Sequence, residues 1–337
     1  MNEEVLGVDI GYGFVKGYDG QNEIVFPSVA GIGRDISYQS QLTTYQSPLD
    51  TLAINYNGKK YFIGDYAIRQ SSIPSRSLDI KKPEDLNTLL LFLTTLSLYS
   101  REPYQEFNIV TGLPTNYILS YQDQLKSILS GEHKLKLRIR GSEEERNISV
   151  RGVNIVPQPF GTLFNLVLNG NGEVADHEMS NKIVGIADIG FKTADFVVSD
   201  SLEFVDRLSS SSINGMVSAY EIIAALIRSR YKIDKKDYEL DQIVKNKSIK
   251  IAGVDHDISD IVSEAFYNLA SKIKTELDSL WDYRELDTIL LTGGGGEALS
   301  EYLIPKFNNM VLISDAQFAN VKGFWKLARN KNGEYKS

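Results

Sequence analysis

Apolar runs alternate along the chain with glycine-bearing turns, and their spacing predicts both strands and helices. Residues 4–10, 14–18 and 23–26 are rich in β-branched and aromatic side chains, which predicts an antiparallel meander. The apolar residues of 257–281 recur every three or four positions and predict the clearest amphipathic helix. Further helices are predicted over residues 85–100, 116–129, 160–168, 218–231 and about 320–330. This mixture predicts an α/β fold.

One pattern occurs twice, once in each half of the chain. Residues 5–20 read VLGVDIGYGFVKGYDG, and residues 183–198 read IVGIADIGFKTADFVV. Each copy is an apolar run that ends in Asp-Ile-Gly, followed by a turn and a second β-rich run, as in a hairpin. A shared tripeptide alone would recur by chance, but the wider pattern indicates two related halves.

The apparent junction of the halves lies at VPQPFGTLF, residues 156–164, where two prolines enclose Gln158. We predict a first domain over residues 1–156, completed by a returning C-terminal segment over 315–337, and a second domain over 157–314. A polar, Ser- and Gln-rich tract over about 34–80 is predicted to be an insertion or small subdomain. Within it, Asn57-Gly58 between two β-rich runs predicts a hairpin turn.

Composition narrows the classes of function. The 337 residues, 42% of them hydrophobic, are enough for two domains with sizeable cores. A formal net charge of −8 argues against direct nucleic-acid binding, because phosphate contacts need clustered Lys and Arg. The chain has no cysteine, which excludes disulfides and thiolate chemistry and fits a cytoplasmic protein. No apolar segment is long enough to predict membrane insertion, and the three histidines lie among polar residues, which predicts exposed side chains.

The glycine-bearing turns are candidate phosphate-binding loops. Backbone N–H groups can approach a polyphosphate closely where the Cβ is missing. Gly11 and Gly13 meet this need in the first turn, with Lys16 as a cation for the terminal phosphates; the second turn offers Gly190, Lys192 and Thr193. Two such hairpins facing each other would hold one nucleotide between the domains. The alternative is that both are ordinary turns.

Asp9 and Asp188 lie at the ends of their apolar runs and are candidate metal-binding residues. A carboxylate with Val/Ile-rich flanks is costly to bury unless it meets a cation or hydrogen-bond donors. Magnesium that keeps its own waters is the natural partner beside phosphates. Asp195 is a less direct candidate that could simply fix the hairpin.

Two further stretches suggest nucleotide chemistry. LLTGGGG, residues 290–296, predicts a buried strand followed by a glycine loop against which a base and ribose could lie, with a helix beginning at Glu297. A glycine run can equally be a plain flexible turn. Gln158, held between Pro157 and Pro159, could orient an attacking water, and the alternative is a surface glutamine in a loop.

These four elements, in this order, resemble the superfamily of actin, heat-shock-chaperone and sugar-kinase ATPases. The resemblance is closest to the ParM/StbA group of bacterial and plasmid actin-like proteins, and FPS (26–28), TGLP (111–114) and DAQFANVKGF (315–324) support it. It implies an actin-like, ribonuclease H-like fold of two related domains. Each domain would have a mixed five-stranded sheet flanked by helices, with a nucleotide cleft between the domains.

The resemblance also implies roles for individual residues. Asp9 and Asp188 would hold hydrated Mg²⁺, and Gln158 with Asp188 would surround the hydrolytic water. The implied phosphate contacts are Gly11, Tyr12, Gly13, Lys16, Gly190, Phe191, Lys192 and Thr193. The implied adenosine contacts are Gly293, Gly294, Gly295 and Gly296. ATP and ADP are the implied nucleotides, with GTP as an alternative.

The implied function is an ATPase that polymerises with bound triphosphate and disassembles after hydrolysis. In the ParM-like group, the filament moves plasmid DNA through an adaptor protein. The implied partners are therefore further copies of this chain and a DNA-binding adaptor, with no direct DNA contact. Residues 34–76 match this group least well, and such a region lies at filament contacts in actin-like proteins. Two alternatives stay open: a sugar- or acetate-type kinase of the same superfamily, and a non-hydrolysing actin-like scaffold.

Overall fold

The structure is a computed structural model that describes residues 3–38, 47–76, 86–139 and 142–330. The described strands are β1 (Glu3–Ile10), β2 (Phe14–Tyr18), β3 (Glu23–Pro27), β4 (Val29–Ile32), β5 (Ala53–Tyr56), β6 (Lys59–Ile63), β7 (Ser75–Arg76), β8 (Tyr104–Leu113), β9 (Gly131–Ile139), β10 (Ser142–Pro157), β11 (Ile183–Ile189), β12 (Ala194–Asp200), β13 (Glu203–Phe204), β14 (Ser210–Ser212), β15 (Ser248–Ile251), β16 (Val254–Asp257), β17 (Thr288–Thr292) and β18 (Met310–Leu312). The described α-helices are α1 (Asp65–Gln70), α2 (Leu86–Tyr99), α3 (Ile118–Leu129), α4 (Phe160–Val167), α5 (His177–Ser180), α6 (Met216–Tyr231), α7 (Asp237–Asn246), α8 (Ser259–Leu280), α9 (Gly293–Leu303) and α10 (Ala319–Ala328).

The described residues form two compact units. Unit 1 extends to Asp176 and resumes at Asn320, and unit 2 runs without interruption from His177 to Ala319. These division points lie after the predicted boundaries at 156/157 and 314/315. The first difference arises because α4, which follows the predicted boundary, packs within unit 1.

The sheet of unit 1 contains the predicted meander. The order β3-β2-β1-β8-β10 places β1 antiparallel to β2 and parallel to β8, and β8 is also parallel to β10. Beyond β10 the sheet continues as β9-β5-β6-β4-β7. The insertion tract therefore extends the sheet of unit 1, as far as it is described; residues 39–46 and 77–80 of the tract lie outside the described ranges.

The strand order of the main sheet of unit 2 matches the order β3-β2-β1-β8-β10 of unit 1. Its order is β13-β12-β11-β17-β18, with β11 antiparallel to β12 and parallel to β17, and with β17 parallel to β18. The strand β14 adds a further antiparallel pairing to β12. This correspondence confirms the prediction of an α/β fold with two related domains and mixed sheets flanked by helices.

Apolar faces explain how the helices pack on these sheets. The helix α2 is buried on most sides, as its nearly continuous apolar sequence predicts, and joins the strands of unit 1 in one core. The helix α8 buries one stripe, which includes Ile261, Leu269 and Leu277, in the core of unit 2. It begins at Ser259 rather than at 257, because Val254–Asp257 pairs with β15 in a short hairpin. Neither this hairpin nor α7 was predicted from the sequence.

The helix α10 is the predicted returning segment, and it packs tightly within unit 1; residues 331–337 lie outside the described ranges. Its Gly323 contacts α4 so closely that a Cβ at that position would lie 1.7 Å from the carbonyl oxygen of Gly161. Asn320 reinforces the contact, since its Oδ1 accepts hydrogen bonds from the backbone N–H (3.0 Å) and the hydroxyl (2.8 Å) of Thr162. The backbone packing of these two helices therefore requires glycine at 323.

The structure tests two further expectations from the sequence, one about a turn and one about the exposure of the histidines. The turn at Asn57-Gly58 is confirmed, since Tyr56 pairs with Lys59 and both turn residues have positive φ. The expectation that all three histidines are exposed is wrong for His133, which is only 8% exposed. It lies on the face of β9 that also buries Leu135 and Leu137. Within the described residues, no helix is both long enough and apolar enough to span a membrane.

Candidate functional site

Hairpin 1, formed by β1, β2 and the turn between them, holds a buried carboxylate. Its loop is defined as residues 11–14, the four residues between the paired Ile10 and Val15. Asp9 lies opposite Lys16 in the strand register, and its side chain is 1% exposed. Lys16 Nζ donates to Asp9 Oδ2 at 3.1 Å, and Gln158 Nε2 donates to Asp9 Oδ1 at 3.0 Å. Each oxygen of the carboxylate therefore has its own donor, which offsets the cost of burying the charge.

Gln158 reaches hairpin 1 because its backbone is fixed at the end of β10. Its N–H donates to the carbonyl of Leu113 at 2.9 Å, and its carbonyl accepts from the N–H of Gly161 at 3.1 Å, in the first turn of α4. Within unit 1, the structure thus brings Gln158 together with Asp9 and Lys16 of hairpin 1, although Gln158 and Asp9 are 149 positions apart in the sequence. From the sequence, Gln158 was a candidate for orienting a water because it lies between two prolines, but its contact with Asp9 was not predicted.

Ser28 also contacts hairpin 1, although it entered the sequence analysis only as part of the FPS stretch. Its hydroxyl donates to the carbonyl oxygen of Gly11 at 2.5 Å, and its backbone N–H donates to that of Gly13 at 2.9 Å. The pairing of Phe14 with Pro27 places Ser28 beside the loop. The side chain of Ser28 is fully buried.

Hairpin 2, formed by β11, β12 and the four-residue loop 190–193, has the same register. Asp188 lies opposite Asp195, as Asp9 lies opposite Lys16, and the next pair closes a loop of equal length. The side chain of Asp188 is 4% exposed. The two copies of the sequence pattern are therefore the same hairpin in two units.

The loop of hairpin 2 packs against the beginning of α6. The carbonyls of Gly190, Phe191 and Lys192 accept from the N–H groups of Met216 (3.1 Å), Val217 (2.7 Å) and Gly215 (3.1 Å), respectively. These donors include N–H groups of the first helical turn, which have no partner inside the helix. The loop and the helix therefore satisfy each other's main-chain groups.

Two side chains of hairpin 2 have structural contacts of their own. Asp195 accepts hydrogen bonds from the Thr193 hydroxyl at 2.8 Å and from the Ser211 hydroxyl. This agrees with the expectation that Asp195 fixes the hairpin. The ring of Phe191 packs edge-on against Tyr220 of α6, with 5.3 Å between the ring centroids.

The glycine run begins a helix, so the prediction that the helix begins at Glu297 is wrong. The helix α9 begins at Gly293, which has φ +81°, and a Cβ there would lie 2.3 Å from Asp188 Oδ1. Glycine has a low helix propensity, but close packing of α9 on β11 requires it here and overrides that propensity. Gly295 also contacts Ile189 of β11, whereas a Cβ at Gly294 would meet no atom within 4 Å.

The arrangement of Asp188 beside α9 has an electrostatic consequence. The beginning of a helix carries a partial positive charge, which stabilises a neighbouring carboxylate. Asp188 and the N-terminal N–H groups of α9 thus form one polar corner of unit 2. All predicted site residues of unit 2 lie in hairpin 2 or in this first turn of α9.

The donor set fits a hydrated magnesium ion better than a metal held by the protein alone. Among the described residues, no three His, Asp or Glu side chains are grouped so that they could hold a metal ion. Magnesium keeps several waters and takes phosphate oxygens, so it needs only one or two carboxylates. The buried carboxylate of Asp9 in unit 1 and that of Asp188 in unit 2 each meet that requirement.

Family models match both units of this chain. Residues 7–161 match the N-terminal domain of actin-like proteins, and residues 186–304 match the C-terminal domain of the MreB-like archaeal actin homologue. Together the two matches span most of the chain, and each contains one of the hairpins. Each unit of the chain is therefore similar to a domain of actin-like proteins.

Solved structures confirm the predicted resemblance to ParM-type bacterial actins. A 15-stranded ParM filament from Clostridium botulinum is 26% identical to this chain, with a TM-score of 0.84 over 98% of this chain and 99% of that one. A Bacillus thuringiensis ParM with AMPPNP is 16% identical, with a TM-score of 0.72, 96% of this chain and 98% of that one being covered. The archaeal actin homologue Ta0583 with ADP is 17% identical, with a TM-score of 0.77 and coverages of 96% and 99%. Among curated protein sequences, none matches this chain.

Proposed function

We propose that this actin-like protein binds and hydrolyses a nucleoside triphosphate and assembles into filaments in its triphosphate-bound state. The observation that carries the proposal is the arrangement around Asp9, a buried carboxylate held by Lys16 and Gln158 at a glycine-bearing turn. A buried ion pair is by itself weak evidence for stabilisation, so we infer a functional role for this one. The second hairpin, with Asp188 in the matching position, gives further support.

ATP and ADP are the proposed nucleotides, with GTP as an alternative. Relatives of this fold have been solved with AMPPNP and with ADP. The proposed phosphate contacts are the loops of both hairpins together with Lys16. The first turn of α9 is the proposed adenosine contact, because the open face of Gly294 leaves room for a ligand against the main chain.

Gln158 is proposed to orient the hydrolytic water. Its Nε2 donates to Asp9, which leaves the amide oxygen as the end of the side chain that can accept a hydrogen bond from water. Asp188 is proposed to act on the same water as a proton acceptor. Positioning and charge stabilisation supply most of the rate in phosphoryl transfer, so a fixed amide and a fixed carboxylate suit the reaction.

Asp9 and Asp188 are the residues proposed to hold hydrated Mg²⁺ through its waters. When bound, the ion would neutralise charge on the phosphate oxygens. The contribution of the protein is to hold both carboxylates in place, through Lys16 and Gln158 on Asp9 and through the beginning of α9 beside Asp188.

Plasmid segregation through an adaptor is the proposed cellular role, by similarity to ParM. The filament structure of the Clostridium botulinum relative supports self-assembly as the working state of this chain. The net charge of −8 favours an adaptor over direct contact with DNA, since a surface with excess acidic residues repels phosphates. The proposed partners are therefore further copies of this chain and a DNA-binding protein.

Light scattering combined with phosphate release tests the proposal. After addition of ATP and Mg²⁺, we expect scattering to rise and then to fall as phosphate is released; AMPPNP should give a rise that persists. ADP and chelated samples serve as controls. ATP turnover that requires an added sugar or acetate, without a rise in scattering, would instead indicate a kinase. Assembly that is independent of nucleotide would indicate a scaffold.

A further inference from the structure

On the basis of the nucleotide binding proposed above, we infer that Ser28 is a positioning residue that aims the loop of hairpin 1 at the phosphates. Ser28 lies between β3 and β4 and makes two hydrogen bonds to that loop. Its hydroxyl holds the carbonyl oxygen of Gly11 at 2.5 Å, and its N–H holds the carbonyl oxygen of Gly13 at 2.9 Å. Ser28 itself would make no contact with the nucleotide.

The physical reason lies in the geometry of the peptide group. In a planar trans peptide, the C=O of one residue and the N–H of the next point in opposite directions. When Ser28 binds the carbonyl of Gly11, the N–H of Tyr12 is therefore directed away from Ser28. The same holds for the N–H of Phe14, through the carbonyl of Gly13. Ser28 thus holds the loop carbonyls, which repel an anion, on its own side. The N–H groups of Tyr12 and Phe14, which attract an anion, point to the opposite side.

Hairpin 2 shows the same arrangement with different donors. The N–H groups of Gly215, Met216 and Val217 bind the carbonyls of Lys192, Gly190 and Phe191. In both units, then, the loop carbonyls are held on one side by donors outside the hairpin. Hairpin 2 relies on three main-chain donors, which no substitution other than proline removes. Hairpin 1 relies on one main-chain donor and one hydroxyl, so its orientation depends on the side chain at position 28.

The burial of Ser28 makes this dependence strong. The side chain is 0% exposed, so water cannot replace the lost hydroxyl in a Ser28→Ala variant. The carbonyl of Gly11 would then be free to turn toward the phosphates. One hydrogen bond of this kind corresponds to about a tenfold change in an equilibrium constant.

The test is titration calorimetry of Ser28→Ala with AMPPNP and with ADP, both with Mg²⁺. We expect AMPPNP affinity to fall about tenfold and ADP affinity to fall less, because the resemblance places this loop on the β- and γ-phosphates. In steady-state ATP hydrolysis, KM should rise more than kcat falls. The ratio of the two affinities separates positioning from a general loss of stability.

Ser97→Ala is the matched control. Ser97 is also buried, and its hydroxyl donates to the carbonyl of Leu93 at 2.7 Å, within α2. Both variants lose one buried hydroxyl-to-carbonyl bond and should lose similar thermal stability. Only Ser28→Ala should lose AMPPNP affinity.

The outcomes are distinguishable. If Ser28→Ala and Ser97→Ala bind AMPPNP as the wild type does, the positioning role of Ser28 is overturned while the proposed function stands. If the wild type binds neither nucleotide, the proposed function fails, and the role of Ser28 with it. Should Ser28→Ala not fold, Ser28→Cys replaces it, because a thiol fills the space but donates weakly. Its AMPPNP affinity should then fall by less than tenfold, and an unchanged affinity again overturns the role.

Discussion

Hairpins 1 and 2 have the same strand register and loop length but carry different charges at matching positions. In hairpin 1, Lys16 lies opposite Asp9 and donates to it, so the buried pair is neutral. In hairpin 2, Asp195 lies opposite Asp188, so two acidic side chains meet across the same two strand positions. One of them, Asp195, is held by the hydroxyls of Thr193 and Ser211. The same pair of opposed strand positions therefore carries an acid and a base in hairpin 1 and two acids in hairpin 2.

This difference suggests a division of labour between two copies of one element. A carboxylate such as Asp9, which pairs with Lys16 and accepts a hydrogen bond on each oxygen, is suited to holding a fixed geometry. Asp188 has an acidic residue opposite it and the beginning of α9 beside it, a setting unlike that of Asp9 and compatible with its proposed action on the hydrolytic water. The proposed assignment of Asp188 to the hydrolytic water follows this distinction.

The largest effect is expected from Asp188→Ala. Removal of the proposed proton acceptor should slow phosphate release roughly a thousandfold, equivalent to about 4 kcal/mol, because general bases contribute factors of this size. Filament assembly on ATP should persist, as seen by light scattering. The control is Asp195→Asn, which keeps an acceptor oxygen for the hydroxyls and should release phosphate at nearly the wild-type rate. Equal rates in Asp188→Ala and the wild type would remove Asp188 from the mechanism.

The next largest effect is expected from Lys16→Met in hairpin 1. This change leaves the carboxylate of Asp9 buried without its cation and should lower the free energy of unfolding by about 3 kcal/mol. The double variant with Asp9→Asn should regain most of that loss, as measured by chemical denaturation. Asp195→Asn should cost little, because it removes one of two facing acids. If Lys16→Met and Asp195→Asn lowered the free energy of unfolding by similar amounts, the inferred difference in charge between the hairpins would be contradicted.

A smaller effect is expected from Gly293→Ala. A side chain at positive φ and 2.3 Å from Asp188 Oδ1 should lower the free energy of unfolding by about 2 kcal/mol. Gly294→Ala is the matched control, since its Cβ would meet no atom within 4 Å and should leave stability unchanged. If the adenosine proposal is correct, Gly294→Ala should still weaken nucleotide binding. Equal stability of the two variants would show that α9 does not need the close contact with hairpin 2.

The smallest effect concerns pH, to which unit 1 should respond even though the buried Asp9–Lys16 pair of hairpin 1 is neutral overall. Burial lowers the pKa of His133, so the folded protein disfavours its protonated form. Its contribution to stability is therefore full above the unfolded pKa of about 6.5 and is lost as the pH falls below that value, by at most about 1.4 kcal/mol per pH unit. Denaturation of wild type and His133→Gln between pH 7 and 5 measures this. An identical slope in both would assign the acid response to other groups, such as the acids of hairpin 2.

The sequence predicted the hairpins well because their signals are local. The apolar runs, the turn glycines and the positions of Asp9 and Asp188 all lie within sixteen-residue windows, and the strand registers agree with them. His133 shows a signal that was present but misread. Its neighbours in sequence are polar, yet the period-two alternation of β9 puts it on the buried face with Leu135 and Leu137.

Other features could not be predicted because they depend on distant contacts. The start of α9 at Gly293 follows from its packing on β11, about a hundred residues earlier, against the low helix propensity of glycine. The hydrogen bonds of Ser28 to the loop of hairpin 1 follow from the register of β2 with β3. Gln158 was singled out by its prolines, but its bond to Asp9 joins residues 149 positions apart. The nucleotide and metal roles of the site residues stay predictions.

The position of α10 in the chain sets an order of events during synthesis. Unit 2 is one continuous stretch, so it can finish folding as soon as Ala319 has left the ribosome. Unit 1 cannot, because α10 must first emerge and cover Gly7 of β1 and Gly161 of α4. Unit 1 is thus synthesised first but completed last. The face of β1 that α10 covers stays uncovered while the whole of unit 2 is translated.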